Sequence, residues 1–320
     1  MSEHWADRLA RIDGVDVRRD VSLRSKTSFR IGGPAEALAV PGNVGAVADV
    51  WRFADETGVS LTILGGGTNI LVADDGVAGI VVELGDAFAA IDIYRDHRHL
   101  RHHDGSELWH VGAACGTGKL VRRAADCGMR GLEVLAGVPG TLGGALIMNA
   151  GGVAEIGGDL ASVVRRVQLV VDGTVRWIEA AEAGFAYRRS RFPAASIILG
   201  AELELMPGNA EALRDQIKAS QARRRVSQPL ELRNAGSIFK NPEGDYAGRL
   251  IEAAGCKGWR EGDAEVSERH ANFIVNRGEA RAVDVVRLIE RVRGRVSEQS
   301  GVRLELEVRL LGLHHAEEES

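Results

Sequence analysis

A mixed α+β chain of several lobes is the fold class this sequence predicts, on three observations. Helical and strand periodicities alternate along the 320 residues without an internal repeat. A 45% share of hydrophobic residues beside 27% charged ones provides at least one full core, and the length allows two or three packed units. Glycine supplies 40 of the 320 residues, well above an average of about 7%, and it gathers in loops.

Taken in order, Asn43 is placed to cap a helix whose apolar residues Val44, Val47, Ala48, Trp51 and Ala54 recur at helical spacing and which stops near Gly58. A strand over 61–64 follows, then another over 79–84. A helix over 119–127 is closed by Gly128. The runs 163–171 and 175–178, joined by Asp172-Gly173-Thr174, read as a hairpin, since Asp-Gly suits a tight turn. A strand over 197–206 halts at Pro207 and Gly208, where a domain boundary is expected. Helices over 210–225 and 282–297 come next, the second with Val285, Leu288, Ile289 and Val292 on one stripe. The alternation of Leu304, Leu306, Val308 and Leu310 with Glu305, Glu307 and Arg309 predicts a half-buried strand over 304–311.

Composition narrows the function. A net charge of −5 gives no basic field for nucleic acid. The three cysteines, Cys115, Cys127 and Cys256, form no C-x-x-C pair, so neither a disulfide framework nor a zinc knuckle is indicated, and a reducing cytoplasm fits. The N-terminal residues lack the apolar stretch of a signal peptide, and no run reaches membrane-spanning length. His97, His99, His102 and His103 are interleaved with Arg95, Arg98 and Arg101, which suggests a polar surface hairpin rather than a metal site. His314, His315 and the acidic residues after them read as a solvated tail.

Gly65, Gly66 and Gly67, followed by Thr68 and Asn69, sit between two apolar runs. Consecutive glycines pack nothing and cost backbone entropy, so their use is to bring bare N–H groups against an anion, a pyrophosphate above all. A second such turn runs Gly137-Val138-Pro139-Gly140-Thr141-Leu142-Gly143-Gly144. Two loops suggest a dinucleotide held from two sides. Neither fits the Rossmann fingerprint, because Ile70 stands where the last glycine belongs. Gly116-Thr117-Gly118-Lys119 fails as a Walker loop, since Leu120 replaces the metal-binding hydroxyl. Further on, Asn234-Ala235-Gly236-Ser237-Ile238-Phe239-Lys240-Asn241-Pro242 holds a serine outside any nucleophile elbow, suited at most to proton donation.

Along the chain, Thr27-Ser28-Phe29-Arg30-Ile31-Gly32-Gly33-Pro34-Ala35, the first glycine loop, Gly131-Leu132-Glu133 with the second loop, Met148-Asn149-Ala150-Gly151, Tyr187-Arg188-Arg189-Ser190, the Ser237 segment, Val266-Ser267-Glu268-Arg269-His270-Ala271-Asn272-Phe273 and the Glu307 segment follow in that order. On these motifs the chain resembles the UDP-N-acetylenolpyruvoylglucosamine reductases, flavoenzymes of peptidoglycan precursor synthesis. The resemblance implies a vanillyl-alcohol-oxidase type FAD-binding region over 1–206, with subdomains at about 20–85 and 86–206, and a C-terminal α+β substrate domain over 207–320. It also implies noncovalent FAD, NADPH as hydride donor, a UDP-sugar substrate, a cytoplasmic monomer and no metal.

The resemblance carries roles to particular residues. Arg188, Ser237 and Glu307 become the catalytic set, with Glu307 preferred over the otherwise equally eligible Glu305. Arg30, Gly65, Gly66, Gly67, Thr68, Asn69, Gly137, Pro139, Gly140, Thr141, Gly143, Gly144, Ala145 and Asn149 become flavin contacts. Tyr187, Gln228, Asn241, His270 and Asn272 become substrate contacts. Only 192–228 separate the tyrosine motif from the serine segment, which leaves little room for the tyrosine loop of the better-known branch and points to the shorter one. Gln228 stands where some relatives carry a phosphate-touching lysine. The stretch 92–109 matches no family motif and is expected to be a lineage-specific hairpin. An oxidase of the same fold acting on a hydroxy acid or sugar, and a UDP-sugar-binding relative without catalysis, are the alternatives.

Overall fold

The computed structural model describes residues 4–93, 105–151 and 157–313. The helices are α1 (Trp5–Leu9), α2 (Val44–Thr57), α3 (Thr117–Asp126), α4 (Leu142–Ile147), α5 (Ala210–Ser227), α6 (Ala247–Ala253) and α7 (Ala282–Ser300). One sheet has the order Val15–Ser22, Pro34–Pro41, Val77–Glu83, Leu61–Leu64. A larger one runs Thr174–Glu179, Val164–Val171, Ile197–Pro207, Glu107–Gly112, Ile91–Ile93, with antiparallel neighbours throughout. A third has the order Arg233–Ser237, Phe273–Asn276, Ala264–Val266, Arg260–Glu261, and Arg309–Leu311 pairs in parallel with Ile70–Val72. None of the described helices is long and apolar enough to cross a membrane.

The chain forms two compact units. The first holds residues 1–18, 37–66 and 80–223; the second holds 19–36, 67–79 and 224–320. In the first, α2 begins as the sequence expects: Asn43 Oδ1 accepts the Ala46 N–H at 2.9 Å, and Gly58 ends the helix at φ +66°. Its residues Val50, Phe53 and Ala54 pack with Leu9, Ala39, Ile80 and Val82. Val47 and Ala48, on its other side, pack with Phe88, Val170, Ile197 and Leu199. A single helix thus seals two sheets of that unit. The expected hairpin turns at Asp172 and Gly173, with φ of +49° and +64°.

The domain boundary expected at Pro207 differs from the compact units, which part after Arg223. Leu213 and Ile217 of α5 are buried with Trp109, Leu120, Leu146 and Leu203, so most of this helix belongs to the first core. The second core draws on all three of its chain segments: Phe29 and Ile31, then Leu71, pack with Ile238, Phe239, Leu250, Leu288 and Ile289. The strand expected over 304–311 is regular only at Arg309–Leu311. Upstream its partner changes, an isolated antiparallel bridge joining Leu306 to Phe239, so burial alternates without a continuous ladder. In 92–109, Ile91–Ile93 pairs antiparallel with Glu107–Gly112. The histidines at 97, 99, 102 and 103 and the tail from 314 lie outside the described residues.

Candidate functional site

In the first unit the two glycine loops meet. A Cβ on Gly66 would lie 2.7 Å from Gly140 Cα and 3.3 Å from the Thr141 nitrogen, and one on Gly65 would lie 3.2 Å from Thr141 Oγ1. Only side-chain-free backbone permits that approach. The second loop is pinned from behind. Thr117, fully buried, donates its hydroxyl to the Val138 carbonyl at 2.6 Å and its N–H to the Gly140 carbonyl at 3.0 Å. Leu142 and Gly143 donate their N–H groups to the Cys115 and Ala113 carbonyls. The segment that fails as a Walker loop is therefore a brace for the loop beside it, a role no local pattern signals. Ala145 packs into the core. Backbone from two converging loops is the donor set a pyrophosphate takes. The residues present fit FAD.

Asn149, also buried, builds the neighbouring corner. Its Nδ2 donates to Asp159 Oδ2 at 2.8 Å and to the Ala186 carbonyl at 3.2 Å, while its Oδ1 accepts the Ala161 N–H at 3.0 Å. Ala186 and Arg189 exchange backbone hydrogen bonds, which leaves Tyr187 and Arg188 as the two residues of a tight turn. Arg188 takes φ +54°, a left-handed conformation that a non-glycine residue adopts only when its surroundings enforce it. Its Nη1 donates to the Gly151 carbonyl at 2.9 Å and its guanidinium lies 5.2 Å from the exposed Tyr187 ring. Asn149 thus acts on the backbone that carries Arg188.

The second unit holds Ser237 and Glu307. Ser237 ends the strand Arg233–Ser237, opposite Phe273 after an irregularity in the ladder. The Ile238 carbonyl accepts the Glu307 N–H at 2.8 Å, and the Lys240 N–H donates to the Glu305 carbonyl at 2.8 Å. The backbone beside the serine and that of the glutamate are thus tied through Ile238. Asn69 holds the other side: its Nδ2 donates to the Glu307 carbonyl at 3.1 Å, and its own carbonyl accepts the Arg309 N–H. Glu305 is exposed and pairs with Lys240 at 3.2 Å, whereas Glu307 is half-buried. Gly67, at φ +65°, leaves no room for a side chain, since a Cβ would lie 1.9 Å from the Lys26 carbonyl oxygen.

The remaining expected contacts in this unit are built into its framework to different degrees. Gln228 Oε1 accepts from Arg224 Nε at 3.0 Å, and its carbonyl accepts from Arg269. Asn241 Oδ1 accepts the first N–H of α6, from Ala247, leaving Nδ2 as its donor end. Arg30 is exposed, and its Nη1 donates to the Ser25 carbonyl. His270 Nδ1 accepts the Asn272 N–H at 3.3 Å, and burial pushes the imidazole below its usual pKa, which favours the neutral ring. Asn272 bonds the backbone of Phe239 at both ends of its side chain.

Comparison with known proteins now bears on this arrangement. Residues 35–179 match an FAD binding domain, and residues 228–311 match the C-terminal domain of UDP-N-acetylenolpyruvoylglucosamine reductase. UDP-N-acetylenolpyruvoylglucosamine reductase 2 of Symbiobacterium thermophilum is 44% identical over 311 residues, covering 96% of each chain. The chain belongs to the UDP-N-acetylenolpyruvoylglucosamine reductase family. The reductase of Moorella thermoacetica is 45% identical, over 93% of this chain and 94% of its own. The crystal structure of UDP-N-acetylenolpyruvylglucosamine reductase from Thermus caldophilus superposes with a TM-score of 0.77 at 35% identity, covering 93% of this chain and 98% of that one. The expected fold, an FAD-binding region with a C-terminal α+β domain, is the one observed, and this family member is an FAD-dependent oxidoreductase.

Proposed function

We propose that the protein uses NADPH to reduce the enolpyruvyl ether of a UDP-linked N-acetylglucosamine to the lactyl ether of UDP-N-acetylmuramate, working as a monomer in the cytoplasm. The observation that carries this reading is the Ile238 linkage, which ties the backbone following a serine to that of a half-buried glutamate within the segment that matches the family's C-terminal domain. FAD, when bound, supplies hydride chemistry, accepting from the nicotinamide and donating to the vinyl carbon. Gly65, Gly66, Gly137, Gly140 and Thr141 hold its pyrophosphate through their backbone. Negative charge then develops on the adjoining carbon and its carboxylate, and Arg188 offers a permanently charged planar fork for it. Ser237 Oγ donates its proton to that carbon, and Glu307 orients the hydroxyl and assists the transfer. Tyr187, Gln228, Asn241 and His270 serve as contacts to the UDP-sugar.

Anaerobic stopped-flow separates the two halves of the reaction. The purified protein should be yellow, bleach with NADPH and recolour with the UDP-enolpyruvyl sugar. Ser237→Ala should bleach normally but recolour slower by about a hundred- to ten-thousand-fold, the usual worth of general acid catalysis. A variant that recolours at the unaltered rate removes the serine from the mechanism. Oxygen consumption without any need for NADPH would instead identify an oxidase.

A further inference from the structure

We propose that Asn272 is the positioning residue for Ser237: its side-chain carboxamide stands in for a missing strand neighbour and fixes the backbone that aims the serine hydroxyl. The inference rests on the reading of Ser237 as proton donor. Asn272 Oδ1 accepts the Phe239 N–H at 2.9 Å, and its Nδ2 donates to the Phe239 carbonyl at 2.7 Å. A neighbouring strand would make the same pair of bonds with peptide groups. The substitution is needed because the ladder between Arg233–Ser237 and Phe273–Asn276 ends at the Ser237–Phe273 pair, short of Phe239.

The same residue holds the serine's next neighbour as well. The Asn272 carbonyl accepts the Ile238 N–H at 2.9 Å, while the Ile238 carbonyl takes the Glu307 N–H at 2.8 Å from the opposite side. Ser237 is therefore followed by two residues whose four backbone polar groups are all engaged, three of them by Asn272. The amide can sit only one way round. A flip would set its NH2 against the Phe239 N–H and its oxygen against the Phe239 carbonyl, and at 4% exposure no solvent relieves either clash. With both ends turned to the backbone, the amide holds the acid's mount, and the direct contacts with substrate fall to other residues.

Asn272→Asp gives the test a signature that a merely structural role lacks. Ionised, the carboxylate accepts from the Phe239 N–H but repels the Phe239 carbonyl; protonated, it restores both bonds. Burial and the facing carbonyl raise its pKa above the usual value of about 3.9. In the holoenzyme, recolouring by the UDP-enolpyruvyl sugar should be about a hundredfold slow at pH 8, the cost of a misplacement near 1 Å, and should recover as pH falls to 5. Rates are read as ratios to the unaltered enzyme at each pH, which cancels the titrations of His270, Glu305, Glu307 and Lys240. Bleaching by NADPH should be unchanged throughout, and Asn272→Ala should recolour slowly at every pH.

Full-speed recolouring by both variants overturns the inference, as does equal loss in the two half-reactions. Ser237→Ala run in parallel separates the failures. If it recolours normally, the reading of the serine falls; if it is slow while the Asn272 variants are fast, only the positioning role falls. Should the aspartate variant not fold, Asn272→Ser keeps a single donor toward the Phe239 carbonyl, and a partial loss confined to recolouring is expected, with no loss overturning the inference.

Discussion

At Gly66 one added carbon decides whether the glycine loops can meet, because its place is already within 2.7 Å of Gly140 Cα. Backbone on both sides leaves nothing flexible to yield. Gly66→Val should part the loops and yield protein without flavin absorbance, at a stability cost of about 1–3 kcal/mol for overpacking. A variant that keeps its full complement of flavin would show that the loops serve only the fold. His270 responds to pH instead. Burial, with a smaller push from Lys257, holds its pKa below the ordinary 6.5, so the folded state disfavours the proton. Stability from this group is whole above about pH 6.5 and is lost as pH falls toward the native-state value. His270→Gln should flatten that part of the stability curve in denaturant titrations from pH 7.5 to 5; an unchanged slope would assign it to other groups. The glycine loops could be read from the sequence because three glycines in a row have few other uses. Glu307 could not be told from Glu305 by alternation, since the difference lies in Lys240, far away in the chain.

Elements were legible where their ends are local. Asn43 and Gly58 bracket α2 within the helix's own sequence, and Asp172-Gly173 turns its own hairpin. The start of α7 has only part of such a signal, Asp284 accepting the Arg281 N–H. Arg281 precedes it, and the bonds that cap it come from Asp74, whose two carboxylate oxygens accept the Ala282 and Val283 N–H groups at 2.8 and 3.1 Å. Removing them by Asp74→Ala should cost about 1 kcal/mol, as loss of a helix cap does, and also lose the favourable meeting of a carboxylate with the positive end of a 19-residue helix. Urea unfolding of the apoprotein measures it. No shift in midpoint would mean that Asp284, which accepts the Arg281 N–H, suffices alone.

The whole molecule departs from its sequence pattern in how the chain is shared out. A boundary at Pro207 follows from a strand ending in Pro-Gly, a local signal, whereas unit membership is a property of packing. Phe29, Ile31 and Leu71 are each at most 2% exposed in the core that α7 completes. Fragment 207–320 lacks all three. Losing buried side chains of this size costs about 2–5 kcal/mol each, so the sum rivals the whole stability of a domain, about 5–15 kcal/mol. The fragment should show no cooperative heat-absorption peak and no near-ultraviolet dichroism, while the full chain shows both; a sharp transition in the fragment would refute the shared core. The parallel pairing of Ile70–Val72 with Arg309–Leu311 has a consequence in time. A ribosome adding roughly 5–20 residues per second finishes the last strand tens of seconds after the first has emerged. During that interval Phe29, Ile31 and Leu71 have no C-terminal partners to bury them. The newborn chain is therefore most open to aggregation late in its synthesis, and slower translation lengthens the wait.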